Sequence, residues 1–278
     1  MILIFNKAAV QYRLLNEKII ILLLIALYNY PMSFTYSLIL FLLTFLGGSL
    51  PLWIRKLNDN AMQYMLAFSG AFLLSMTLLH LLPETFEEIG PKAGFFLLVG
   101  FFIQLFIQRF THGIEHGHMH VHEHEGHKHI PVTSIMLGLS IHAFMEGLPL
   151  GFNYRMEATE PALYMAVAAH KVPEAILVAS LIMQTSKSVS RTVTALALFS
   201  LITPLSGVLA NVLGMSYHFI AQLVISLIPI VAGAFIHIST TIFFESGTRH
   251  HMLTGKKILA ILSGLGIGLL TLIFEHHH

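Results

Sequence analysis

His142-Ala143-Phe144-Met145-Glu146-Gly147 and His170-Lys171-Val172-Pro173-Glu174 each set an imidazole and a carboxylate four residues apart inside a long apolar run. On a helix, positions i and i+4 lie on one face, so each segment turns both groups to the same side. If the two helices face each other, four metal ligands converge. Imidazole with carboxylate is a good donor set for a borderline divalent ion such as Zn²⁺. Ionisable groups at membrane depth are costly and mark function.

The chain around these segments has 278 residues, 55% hydrophobic and 10% charged, with a mean hydropathy of +0.76. A soluble domain carries roughly 25% charged residues. The composition is that of a polytopic, all-α membrane protein whose direct surroundings are the lipid bilayer. The formal net charge is +1, and the basic residues stand singly between apolar runs, which excludes nucleic acid as a partner. There is no cysteine. Disulfides, thiolate metal sites and a thiol nucleophile are thereby excluded, and a metal must be held by His, Asp, Glu, Asn or Met.

Eight spans follow Pro31, over about 34–54, 61–82, 93–110, 133–153, 162–184, 192–213, 217–244 and 256–274. Lys and Arg in short loops stay on the cytoplasmic side. The gaps after spans one, three, five and seven hold Arg55, Lys56, Arg109, Lys128, Lys187, Arg191, Arg249, Lys256 and Lys257, whereas the other gaps hold only Lys92 and Arg155. That asymmetry puts the start of span one and the end of span eight outside. Residues 1–30 form an extension in which Lys7, Arg13 and Lys18 precede a short apolar run, Ile19 to Tyr28. The run falls short of the ~20 residues that cross a bilayer. It makes an extra helix only if the stretch from Ala8 joins it. No convincing signal-cleavage site follows. The chain thus divides into 1–30, spans one to three over 31–110, a loop at 111–130, and spans four to eight over 131–278.

The loop carries His112, His116, His118, His120, His122, His124, His127 and His129 among glycines and three glutamates. It cannot build a core and reads as a cytoplasmic metal-binding segment. His276 to His278 at the carboxyl end resemble the stub of a purification tag.

Within spans four and five, a lone carboxylate cannot stay ionised in hydrocarbon without a cation, water or a proton. Two of them on adjacent helices also repel, and one divalent ion removes both conflicts. Pro173 lacks an N–H, so the carbonyl of Ala169 loses its helical donor beside the proposed ligands. Broken helices at mid-membrane are where transporters place sites. Gly138, Ser140, Gly147 and Gly151 supply small residues for close helix approach. Lys171 offers an ammonium that balances one carboxylate and leaves the other with two imidazoles. Taken singly, His80 and His237 read equally as pathway groups or as rings bonded across a helix interface. Glu84, with Glu87 and Glu88, reads either as a cation-gathering mouth of span two or as a solvated loop.

These residues resemble the ZIP (Zrt/Irt-like) family of divalent metal importers, whose fourth and fifth spans bear His-(Asn/Ser)-x-x-(Glu/Asp)-Gly and His-(Lys/Glu/Asp)-x-x-Glu. Leu46-Gly47-Gly48-Ser49-Leu50-Pro51 is similar to the end of the family's first span, and Leu79-His80-Leu81-Leu82-Pro83-Glu84 to its second. Thr203-Pro204-Leu205-Ser206-Gly207 and Ala232-Gly233-Ala234-Phe235 are similar to the sixth and seventh. The resemblance implies an eight-helix bundle with inverted three-helix repeats flanking spans four and five. It also implies a homodimer in the plasma membrane that moves Zn²⁺, or Fe²⁺, Mn²⁺ or Cd²⁺, into the cytoplasm with no organic cofactor. Residue by residue, it assigns the primary metal site to His142, Glu146, His170 and Glu174. Some members hold a second metal, and its additional ligand positions here read Ala143, Lys171 and Thr203. None of the three is a ligand, so one transport site is expected.

Two rival functions are weaker. An intramembrane zinc hydrolase needs an open coordination position and a separate general base. Both carboxylates here are already wanted as ligands, and no His-Glu-x-x-His motif is present. Metal storage or sensing through the histidine loop leaves the intramembrane ligands without a role.

Overall fold

The computed structural model of the chain describes residues 31–54, 59–111, 132–151, 160–216, 218–245 and 254–275. The amino-terminal extension, the histidine loop and the terminal histidines lie outside the described residues. Every described element is helical: α1 (Pro31–Gly48), α2 (Leu50–Trp53), α3 (Asp59–Met76), a π-helical turn (Thr77–Leu81), α4 (Leu82–Ile89), α5 (Lys92–Thr111), α6 (Val132–Leu150), α7 (Glu160–Ser186), α8 (Val189–Ser216), α9 (His218–Glu245) and α10 (Gly255–Glu275). Lipid supplies no hydrogen bonds, so apolar segments of this length must satisfy their backbone internally. Eight of the resulting spans are long and apolar enough to cross a membrane. Spans one and two are α1–α2 and α3–α4, and spans three to eight are α5 to α10.

Span one covers its expected range, Phe34–Trp53, with a one-residue turn at Ser49, whose hydroxyl donates to the carbonyl of Leu46 at 2.7 Å, between α1 and α2. Span two departs from its expected range. Span two continues to Ile89, so Glu84, Glu87 and Glu88 lie on a helix and not in a solvated loop. Pro83 cannot donate to Leu79, and in a regular helix its ring would meet that carbonyl. The π turn immediately before it widens the helix and relieves that conflict. Gly90, at φ 64°, then ends the helix in a conformation that glycine adopts without penalty.

The packing is inside out relative to a soluble protein. Phe95, Phe102, Phe106 and Phe110 of α5 and Leu259 and Leu262 of α10 are exposed, whereas His142, Glu146, His170, Lys171 and Glu174 are buried. The closest pairs are α5 with α9, α3 with α10, α6 with α8 and α1 with α7. Exchanging spans one, two and three for six, seven and eight, and four for five, maps these pairs onto one another. That is the pairing pattern of inverted three-helix repeats. Glycines permit the closeness: a Cβ on Gly100 would strike the carbonyl oxygen of Ile230, and one on Gly264 that of Phe68.

The pairings separate two sets of helices. α1, α6, α7 and α8 pack on one another around the His/Glu segments; α3, α5 and α9 pack against that set, and α10 packs on α3. Their seam is mostly apolar, with Phe72, Leu73 and Met76 of α3 and Phe235 of α9 in one core with Leu150 of α6 and Val167 of α7.

Candidate metal centre

His142 and Glu146 stand one turn apart on α6, and His170 and Glu174 one turn apart on α7, all about 1% exposed. The Nε2 of His142 lies 2.7 Å from Oε1 of Glu146, and the Nε2 of His170 lies 3.2 Å from the same oxygen. The two Nε2 atoms are 3.4 Å apart. Two donors each ~2.0–2.1 Å from a tetrahedral Zn²⁺ stand about 3.3–3.4 Å from each other. The imidazoles are therefore spaced as neighbouring corners of such a site. One ligand atom from each of the four residues falls within 4.8 Å of the others. This is the one group of three or more His, Cys, Asp or Glu side chains with metal-holding geometry among the described residues.

Lys171 shapes the set from behind. Its Nζ donates to Oε2 of Glu146 and to Oε2 of Glu174, each at 2.7 Å, and sits 4.8 Å from the centroid of the Phe199 ring. The ammonium ties down one oxygen of each carboxylate. The other oxygen of Glu146 faces the imidazoles, and Oε1 of Glu174 has no hydrogen-bond partner among the described residues. The Nδ1 of buried His170 is likewise without one. An orphaned buried acceptor costs on the order of 1–3 kcal/mol, which fits a site built to receive a cation. Both carboxylates thus take part in a Lys-Glu pairing, yet one oxygen of each stays available.

α8 closes the third side. Thr203 donates its hydroxyl to the carbonyl of Ala143 at 3.0 Å, and a Cβ on Gly147 would strike the carbonyl of Thr203. Asn211 donates to the carbonyl of Gly151 at 3.1 Å. Toward the other end of α7, the Tyr164 hydroxyl lies 3.4 Å from the carbonyl of Leu150 and 3.3 Å from the hydroxyl of Ser37. Lys171 bonds both carboxylates of the cluster, and Thr203 bonds the backbone of Ala143, the residue after His142. Phe199 was not legible in the sequence, although its place one turn before Thr203 on α8 was a usable signal.

His80 and His237 do not join this cluster. The Nε2 of His80 is 2.8 Å from Thr271 Oγ1, and that of His237 is 2.8 Å from Gln108 Oε1 with its ring edge-on to Phe101. Glu84 lies half-buried on α4, also outside it.

A family model described as ZIP zinc transporter matches residues 32–135 and 116–273. The chain belongs to the ZIP zinc transporter family. No curated protein matches it. Membership makes it an integral, multi-pass membrane protein of a family that transports divalent metal ions, and the buried His/Glu group is compatible with that cargo. The family consists of transporters and not of enzymes.

Proposed function

We propose that this ZIP protein carries Zn²⁺ into the cytoplasm through a single site formed by His142, Glu146, His170 and Glu174. The observation that carries this reading is the convergence of those four ligand atoms within 4.8 Å in a buried, otherwise mostly apolar bundle. Two nitrogens and two oxygens at this spacing suit Zn²⁺, with Fe²⁺, Mn²⁺ and Cd²⁺ as competitors of similar preference. Lys171 occupies the place of a second cation, while Ala143 and Thr203 offer no ligand to one.

Transport proceeds by alternating access. The polar bonds of Lys171, Thr203, Asn211 and Tyr164 hold α1, α6, α7 and α8 together, while His80 and His237 tie helices within the surrounding set. A mostly apolar seam between the sets favours sliding, because dispersion contacts are non-directional and re-form in register after a shift. The distribution of Lys and Arg places α6 with its first residue at the cytoplasmic face, and α4, with Glu84, at the outer mouth. A homodimer in the plasma membrane, with the histidine loop as a cytoplasmic metal store, completes the reading. Hydrolysis finds no support in the geometry, since Lys171 engages both carboxylates and leaves no separate general base.

Zinc uptake into proteoliposomes tests it. The unaltered chain should accumulate Zn²⁺, and Glu174→Ala should lose uptake. Uptake that survives Glu174→Ala, or that runs through the histidine loop alone, overturns the reading.

A further inference from the structure

Lys171 confronts the cargo with a conflict, because its ammonium sits on the two carboxylates that must also receive a divalent cation. Like charges brought that close in a low-dielectric interior repel strongly. Lysine carries its charge on a flexible four-carbon stem with three donors, so it can move aside if acceptors await it.

Two buried hydroxyls answer that description. Thr44 on α1 and Ser200 on α8 are each about 1% exposed, and neither Thr44 Oγ1 nor Ser200 Oγ has a hydrogen-bond partner among the described residues. Buried hydroxyls on membrane helices ordinarily bond back to the carbonyl one turn earlier. Ser75, Thr77, Thr192 and Ser239 all do so here. Thr44 and Ser200 do not, and find no other partner among the described residues.

The register puts both at the height of Lys171. α1 and α7 run parallel, with Ser37 beside Tyr164 and Gly48 against Ala175. α8 runs antiparallel to α7, with Thr192 bonded to Met183 and Phe199 under the Lys171 ammonium. A Cβ on Gly48 would touch both Ala175 and Leu196, which marks the three-helix junction. Thr44 lies one turn before Gly48, Ser200 one turn after Leu196, and Lys171 one turn before Ala175. All three steps lead the same way along the bundle.

We propose that Thr44 and Ser200 are positioning residues that form a second seat for the Lys171 ammonium. Without cargo, the ammonium bridges Glu146 and Glu174 and keeps two buried carboxylates compatible. When a divalent ion arrives, the ammonium shifts over the Phe199 ring to the two hydroxyls and frees both Oε2 atoms. No bond is made or broken in this exchange beyond hydrogen bonds. Glu146 and Glu174 are the acidic groups facing the ammonium, and His142 and His170 border the same cluster. The proposal rests on the transport reading above.

The test combines Thr44→Val with Ser200→Ala in the full-length chain, reconstituted for Zn²⁺ uptake. A hydrogen bond to a charged group is worth enough that removing the seat should raise KM for Zn²⁺ by about tenfold, while Thr44→Ser with Ser200→Thr keeps the unaltered KM. Because the seat acts through the lysine, the same pair should shift Zn²⁺ affinity less than about twofold in a Lys171→Met background, measured by calorimetry in detergent if transport is too slow. An unchanged KM in the Val/Ala pair overturns the seat, as does an equal effect with and without Lys171 or failure of the hydroxyl-retaining pair to match the unaltered protein. Absence of uptake by the unaltered chain would instead overturn the transport reading itself.

Discussion

Among the described residues, four buried histidines lie within the spans in two contrasting settings. His142 and His170 aim Nε2 at one carboxylate oxygen beside an ammonium and a second carboxylate. His80 and His237 instead bond Thr271 and Gln108 across helix interfaces. The ring is the same and the burial similar, yet only the first pair stands in an arrangement with unsatisfied oxygen left over. A glutamate one turn on does not by itself decide between the two settings, since His80 has Glu84 at the same spacing; what distinguishes His142 and His170 is that two such pairs, on α6 and α7, meet at one place. In α9 the turn after His237 carries Thr240 and Thr241, whose hydroxyls bond back to their own helix.

Substitutions at the two settings should therefore separate cleanly. The largest effect belongs to Glu146→Ala and Glu174→Ala, each of which leaves Lys171 a single carboxylate and takes away a proposed ligand. Zn²⁺ uptake should fall by a factor on the order of 10² or more, a cost comparable to breaking a buried charge pair. Lys171→Glu comes next. With a third carboxylate in place of the ammonium, bound metal measured by elemental analysis should rise from one ion per chain toward two, and an unchanged count would remove the lysine from its role as stand-in cation.

Gly147→Val probes the packing around the same cluster, since a side chain there meets Thr203 and Ser206. Overpacking of this kind costs about 1–3 kcal/mol, so a lower thermal midpoint in detergent is expected together with slowed uptake. His237→Leu should be smallest. Interhelical hydrogen bonds in membrane proteins average about 0.6 kcal/mol, so a slight loss of thermal stability with a Zn²⁺ KM within about twofold of the original is expected. A loss of uptake at His237→Leu as large as at Glu174→Ala would erase the contrast between the two settings.

Much of the bundle was legible in the chain because lipid leaves so little choice. A run of apolar residues long enough to cross must be helical, and the eight runs were separated by Gly, Pro and charged residues that the structure also uses as ends. The one misread boundary had a local cause. Span two was expected to end at 82, but a π turn accommodates Pro83 and the helix runs on through Glu84 to Ile89. The four candidate ligands were legible for a similar reason: buried carboxylates need partners, and spacing of four residues names the face.

What the amino-acid order determined by itself was therefore the helical class, the number of spans and the identity of four polar groups that hydrocarbon would not tolerate alone. Only the tertiary structure decided which oxygen of each carboxylate Lys171 takes, that Phe199 lies under its ammonium, and that His80 and His237 spend their nitrogens elsewhere. The physical reason is distance. Burial cost is a property of a residue and its helix, whereas a 2.7 Å bond between α6 and α7 depends on how closely the small residues of four helices let their backbones approach.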